Sequence, residues 1–264
     1  MSHAIPRKKP MLRAWSRTIL LASGLAAVAA YAADPPPVGE TPKVDPKALD
    51  ALKTMGTHLR DMQSFTVHAD TTIDDVAEDG QKLQFGGTVE YQVRRPDRMR
   101  AEINSDRRQR TYYYDGKTLT QYSPRMGYYA SVSAPPTLNK LADVLKDKYD
   151  ISLPLTDLFR WGTDPDDGSG LTEAEFVGPS KIAGATCDHY AFRQTDVDWQ
   201  VWIAQETKLP CKLVITTTDE PEQPQYVALF TWHPNVKLDD KTFVFEQPKT
   251  ARKIEIAVVD TSGQ

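Results

Sequence analysis

Leu49, Leu52, Met55, Leu59 and Met62 recur at three- and four-residue spacing. With Asp45 as N-cap and Pro46 as first helical residue, this predicts one amphipathic helix ending near Gln63. Gly56 is its weak point, costing about 1 kcal/mol relative to alanine. From Phe65 the period drops to two. Val67, Ala69, Thr71 and Ile73 share one face, and after a turn at Glu78-Asp79-Gly80 so do Leu83, Phe85, Gly87, Val89, Tyr91, Val93 and Arg95. That second face is apolar until Arg95, where it becomes cationic. Short strands are expected at Gln109 to Tyr114, Thr118 to Tyr122 and Tyr128 to Val132, with Asp115-Gly116 as a hairpin turn.

Ala134-Pro135-Pro136 breaks the meander. Thr137 then caps a helix carrying Leu138, Leu141, Val144 and Leu145, and a further helical turn is expected from Ser152 to Trp161, so helices are inserted over about 137–161. Strands resume at Glu173 to Phe176, Ala185 to Gln194, Trp199 to Gln205, Lys212 to Thr218, Gln225 to Trp232, Thr242 to Glu246 and Arg252 to Val259. Several are apolar on both faces: Trp199, Val201 and Ile203 back onto Trp202, and Tyr226, Ala228, Phe230 and Trp232 back onto Val227 and Leu229. A sheet with two apolar faces is covered or encloses something. About eleven antiparallel strands with three helices predict an α+β fold, a strongly curved antiparallel sheet forming an incomplete β-barrel whose concave side is covered by helices. An open β-sandwich is the competing architecture.

The N-terminus changes the picture of where the protein works. Arg7, Lys8, Lys9, Arg13 and Arg17 precede an acid-free apolar stretch from Thr18 to Ala30, followed by Ala30-Tyr31-Ala32. This is the grammar of a secretory signal peptide over residues 1–32, and export from the cytoplasm follows. An uncleaved anchor is the alternative, but the apolar run is short for a bilayer of about 30 Å. Residues 33–44 are Pro-rich and read as a flexible tether, leaving 45–264 as a single domain. Loss of residues 1–32, which hold five of the 32 basic residues and no acid, leaves 27 against 36 acidic, a net charge of −9. Such a surface argues against nucleic acid as a partner. In an oxidising compartment the two cysteines, Cys187 and Cys211, are expected to pair, the alternative being two buried thiols. If a third strand separates theirs, two spacings of about 4.8 Å exceed disulfide reach unless the strand ends converge.

Several motifs occur in one order along the chain: Met62-Gln63-Ser64-Phe65, Val93-Arg94-Arg95-Pro96-Asp97-Arg98-Met99-Arg100, Asp115-Gly116-Lys117-Thr118-Leu119 with Tyr122-Ser123-Pro124, and Asp240-Lys241-Thr242-Phe243-Val244-Phe245 before Pro248. In that order and spacing they resemble the LolA family of periplasmic lipoprotein carriers. Cys187-Asp188-His189-Tyr190-Ala191-Phe192-Arg193 and Asp198 to Ile203 instead look like an uncharacterised family of predicted periplasmic proteins, domain of unknown function 2092. The resemblance implies a LolA-like half-barrel with a divergent role. It also implies that Arg95 points into the cavity and holds a helical lid through backbone carbonyls, and that Leu59 faces that cavity. The residue pattern also puts Arg95 on the apolar face of Leu83, Phe85, Val89, Tyr91 and Val93, the alternative being a strand-end arginine reaching water, whereas Leu59 on an amphipathic helix is by default a core leucine.

The expected hydrophobic wall comprises Phe85, Tyr91, Trp199 or Trp202, Phe230 and Trp232, with Leu141, Leu145, Leu155, Leu158 and Phe159 from the inserted helices. The alternative is that these side chains fill the space themselves. Signals for catalysis are weak. His58, His68, His189 and His233 form no zinc spacing, and Asp188 and His189 are strand neighbours that point to opposite faces. Asp164, Asp166 and Asp167 lie in a Gly-rich loop that fails the EF-hand register. No cofactor is expected. Arg94, Arg98, Arg100, Arg107, Arg108 and Arg110 form a basic cluster suited to lipid headgroups, an acidic partner, or neighbouring acids. The leading expectation is a monomeric, non-enzymatic carrier of a lipid, lipoprotein acyl chain or other hydrophobic ligand, with a membrane protein as possible partner. The competing readings are a periplasmic sensor module that binds a protein, and a hydrolase built on Asp188 and His189.

Overall fold

The computed structural model describes residues 44–149, 151, 153–155 and 170–256. The expected signal peptide, most of the expected tether, the expected helical turn at 156–161 with Leu158 and Phe159, the segment with Asp164, Asp166 and Asp167, and 257–264 lie outside them. Helix α1 spans Pro46–Asp61. It starts where the sequence says it should: Asp45 accepts from the Lys47 N–H at 2.9 Å, and Pro46 occupies the first turn. Ala48, Leu52, Met55, Gly56 and Leu59 are buried.

Strands β1 (Ser64–Val76), β2 (Lys82–Arg94), β3 (Arg98–Ser105), β4 (Gln109–Tyr114), β5 (Thr118–Ser123) and β6 (Tyr128–Ser133) form a continuous meander. Helix α2 (Leu138–Tyr149) follows. Strands β7 (Glu173–Ile182), β8 (Ala185–Arg193), β9 (Val197–Ala204), β10 (Pro210–Thr217) and β11 (Gln225–Pro234) make a second meander. The two meanders join where β11 pairs antiparallel with β1, Phe65 opposite Pro234 and Ile73 opposite Tyr226. Among the described residues the result is one open, curved sheet of twelve strands that runs from β12 (Arg252–Lys253) to β7, where Val44 bridges to Ala174.

Alternation along each strand divides the apolar residues between two faces. One face carries Phe65, Val67, Ala69, Val89, Tyr91, Val93, Met99, Ala101, Tyr112, Tyr114, Phe192, Val201 and Leu213, and both helices pack against it in one continuous core. A smaller cluster on the other face joins Cys187, Trp202, Cys211 and Val214.

Three strand expectations are corrected. Arg98–Ser105 is a full strand that was not foreseen, although Met99, Ala101 and Ile103 alternate there with Arg98, Arg100 and Glu102. Thr242 to Glu246 is not a strand. Asp239 caps a 3-10 helix over Asp240–Phe243, and Phe245 then packs on the rings of Tyr113, Tyr122 and Tyr129 at 5.5, 5.4 and 4.9 Å. Its aromatic neighbours come from the face of β4 to β6, so the segment lies across the sheet instead of joining it. The last strand is only two residues long within the described chain and runs parallel to β6.

The disulfide Cys187–Cys211 is formed, and β9 does separate its strands. Two relaxed spacings would be near 9.6 Å by the usual strand separation of about 4.8 Å. The observed Cα–Cα distance is 6.8 Å. The register shift between Pro210 and Lys212 frees Cys211 from the ladder, and Cys187 pairs with Ala204 at the last position of β9. The bond crosses at the strand end, where the bulge brings the backbones together.

Candidate functional site

The last turn of α1, the β7–β8 hairpin, the β9–β10 loop and the end of β11 surround a cavity of about 750 Å³. Its apolar wall comes from Met62, Leu209, Pro210, Phe230 and Trp232. Trp232 is placed by its own chemistry: its indole N–H donates to the Pro210 carbonyl at 2.8 Å, which ties the far end of the loop to β11. Phe65 and Phe230 flank the Trp232 ring at 5.8 and 6.0 Å between centroids. The volume falls within the roughly 300–1,000 Å³ of small-molecule sites.

The backbone around this cavity is unusual. Ala183, Lys208 and Asn235 line it with φ of 47°, 58° and 59°, the left-handed region that L side chains seldom adopt. Only Leu155 and Gln223 share that conformation among the described non-glycine residues. Strained turns persist where the surrounding packing over-determines them, and they gather at ligand clamps.

The expected wall residues divide into four groups. Phe230 and Trp232 line the cavity. Leu59, Tyr91, Leu141 and Leu145 are 1%, 0%, 2% and 1% exposed and belong to the continuous core, where the Tyr91 hydroxyl donates to the Pro154 carbonyl. Leu155 is also buried in that core. Trp199 stacks on Phe192 at 4.1 Å and packs against the main core without lining the cavity. Trp202 is corrected: it belongs to the opposite face, beside the disulfide, with the His189 ring stacked on it at 4.0 Å and the Lys212 ammonium 4.6 Å from its centroid. Phe85 is half-buried toward the far end of β2 under the Arg107 guanidinium, outside the core.

Arg95 does not line the cavity but grips the helical turn that does. Its Nη2 donates to the Leu59 carbonyl at 3.4 Å, one of the carbonyls that the end of α1 leaves without a helical partner. Its backbone N–H donates to Gln63 at 2.8 Å. Burial, with the Arg60 charge nearby, pulls the guanidinium below the ordinary arginine pKa, and Nε is buried without a hydrogen-bond partner. A cation here complements the negative end of the helix, worth about 0.3–1 kcal/mol. Arg95→Met is expected to speed amide hydrogen exchange in the last turn of α1 several-fold while leaving β4 and β5 protected. Unchanged exchange in that turn would show that Arg95 holds nothing.

On the core face near the opposite end of β11, the Tyr226 hydroxyl is also buried without a partner, and burial raises its pKa above the ordinary tyrosine value. Asp188 and His189 do not meet. Asp188 accepts from the Gln205 amide at 2.7 Å, and His189 Nε2 lies 3.0 Å from Gln200 Oε1. Burial, the larger effect, lowers the His189 pKa despite its Gln200 contact. In the basic cluster Arg94 pairs with Asp240, Arg98 with Asp97, Arg100 with Glu102 and Arg107 with Asp75, so neighbouring acids occupy most of it.

Sequence reasoning missed Met62 as a wall residue, the hairpin, and the loop from Glu206 to Pro210. The available signal was the position of that loop: it ends at Cys211, which a disulfide must hold in place.

Among solved structures, the chain is similar to the lipoprotein LppX of Mycobacterium tuberculosis, at 14% identity and a TM-score of 0.47 over 74% of this chain and 100% of that one. It is similar to the MucA/MucB complex of Pseudomonas aeruginosa, at 16% and 0.42 over 75% and 61%. It is also similar to a LolA superfamily protein, NE2245, from Nitrosomonas europaea, at 12% and 0.34 over 75% and 97%. With scores and identities this low, no function passes from these proteins to this chain. No curated protein matches its sequence. Residues 48–257 match the family model described as predicted periplasmic protein, DUF2092, and the chain belongs to that family.

Proposed function

We propose that this protein is an exported, periplasmic binding protein that holds a lipid, acyl chain or similar hydrophobic ligand without covalent chemistry. The observation that carries the reading is the cavity of about 750 Å³ at the end of the half-barrel, walled by Phe230, Trp232, Met62 and Leu209. Among the described residues no three His, Cys, Asp or Glu side chains gather as a metal-ion site. The apolar part of the wall selects by burial. About a dozen methylenes at about 0.8 kcal/mol each contribute on the order of 10 kcal/mol before the cost of ordering the chain.

The helix-covered half of the core serves as scaffold in this reading. It fixes α1, and α1 presents Met62 to the ligand. Arg95 supports the same turn from outside the cavity.

Native mass spectrometry of protein purified from the periplasm tests the proposal. The parent protein is expected to carry lipid-sized adducts, and Phe230→Glu, which places a charge in the cavity wall, to lose at least about nine-tenths of them, since burying an uncompensated carboxylate costs several kcal/mol. Phe230→Leu is expected to retain them. A folded parent protein that carries no adduct and binds no amphiphile would overturn the reading.

A further inference from the structure

Three segments meet at the end of the sheet away from the cavity, on its β12 side: the β3–β4 turn (105–110), the β5–β6 turn (124–129) and the chain entering and leaving β12 (249–255). Phe65 pairs with Pro234 beside the cavity, whereas Ser105 pairs with Gly87 and Gly87 with Thr71, further along β1. Hydrogen bonds tie the three segments together. Arg125 Nη1 donates to the Asp106 carbonyl at 3.3 Å, and the Arg252 N–H donates to the Gly127 carbonyl at 2.8 Å. Ser123 and Arg252 stand on either side of Tyr128 in the sheet.

These segments hold seven basic residues against two acids, in a chain whose mature form is expected to carry −9. Arg107 is paired with Asp75. Arg108, Arg110, Arg125, Lys249, Arg252 and Lys253 make no ion pair among the described residues. Apolar side chains stand among them. Met126 is 69% exposed, more than any other large hydrophobic residue described, and Tyr128 and Ile254 beside it are also exposed. Its turn is fixed, because the Ser123 carbonyl accepts from the Met126 and Gly127 N–H groups at 3.1 and 2.9 Å. A lone exposed apolar residue is ordinary, but three among six unpaired cations form an amphipathic patch. The patch has a border. The β1–β2 turn with Glu78 and Asp79 and the β10–β11 turn with Asp219, Glu220 and Glu222 occupy the same end of the sheet and carry the opposite charge.

We propose that this corner docks on a lipid bilayer whose surface carries anionic headgroups. Met126 enters the interfacial layer, and Arg108, Arg125 and Arg252 meet the phosphates. Each basic residue near such a surface raises binding about fivefold. Their aliphatic stems lie along the apolar layer while their charged heads stay among the phosphates. The acidic turns are repelled, so the protein stands on its β12 side. The cavity plays no part in this contact, so the binding function proposed above and the docking stand or fall separately.

Vesicle co-sedimentation of the full mature protein tests the inference, with phosphatidylcholine vesicles compared with mixed phosphatidylcholine and phosphatidylglycerol. The mixed vesicles are expected to bind at least about tenfold tighter at low salt, a preference that shrinks at about 0.5 M salt as the Debye length falls toward 3 Å. Arg108→Gln/Arg125→Gln/Arg252→Gln is expected to lose about tenfold or more of that affinity. Neutralising the exposed Lys53, Lys117 and Lys241, which lie outside the three segments, controls for overall charge and is expected to leave it intact. Met126→Trp should shift its emission to the blue on the mixed vesicles, beyond any change in the parent protein. Equal binding to both vesicles, affinity that survives in Arg108→Gln/Arg125→Gln/Arg252→Gln, or an unshifted Met126→Trp would each overturn the inference. Polyglutamate that binds as tightly as the mixed vesicles would also overturn it and make the partner an acidic protein.

Discussion

Replacing Cys187 and Cys211 together with alanine is expected to lower the unfolding free energy by about 3–4 kcal/mol. The bond closes a loop with a sequence separation of 24. Chain entropy released to the unfolded state by a loop of that length is worth about 3.5 kcal/mol at 25 °C. For a chain of this size each kcal/mol moves the midpoint by about 2–4 °C, so a thermal scan should show a drop of roughly 7–14 °C. Cys187 is 0% and Cys211 9% exposed, both packed with Trp202 and Val214, so the substitution also removes buried contacts. The effect reaches the cavity, because Cys211 lines it and stands at the end of the loop from Glu206. Affinity for a hydrophobic ligand should therefore fall with stability. A midpoint within about 2 °C of the parent would show that β8 to β10 keep their arrangement without the bond.

Leu59→Ala is expected to cost about 2–5 kcal/mol, read from urea unfolding at constant m-value. Leu59 is 1% exposed on the packed face of α1 and belongs to the continuous core. Truncation leaves a cavity that the surrounding strands cannot close, whereas Leu59→Met keeps the volume and should cost less than about 1.5 kcal/mol. The same pair of variants separates the two roles open to this residue. A ligand-facing leucine would lose binding with little loss of stability. A core leucine loses stability first, and that is the expected order.

Local chemistry was legible wherever one element decides it. Asp45 and Pro46 mark the start of α1 because capping satisfies N–H groups within a single turn. The two-residue period from Phe65 onward marks strands because successive side chains must point apart. Its reading failed at Arg98–Ser105, where charged residues on one face drew attention from Met99, Ala101 and Ile103 on the other. It failed again at Phe243 and Phe245, whose alternation serves packing across the sheet. The disulfide followed from there being two cysteines in a chain expected to be exported, but the bulge at Cys211 that makes it reachable did not.

The site was legible only in part. Phe230 and Trp232 were expected on the wall of a hollow beneath the inserted helices and line a pocket beside the end of α1 instead, while the hairpin at Ile182 and Ala183 and the loop at Glu206 carry no apolar period that points to it. Likewise, alternation says that Trp199 and Trp202 face opposite ways, but not which of them meets the helices.

By itself the sequence determined the helix starts, most strands, the pairing of its cysteines and the antiparallel α+β class, because each depends on residues close along the chain or on simple counts. Tertiary structure alone decided that β11 docks on β1, joining residues more than 150 positions apart. That junction sets which face becomes core, sends Trp202 to the other side, and brings the end of α1 toward the β9–β10 loop. The physical reason is that a strand's two faces are equivalent until a partner buries one of them, and here the partners are distant in sequence.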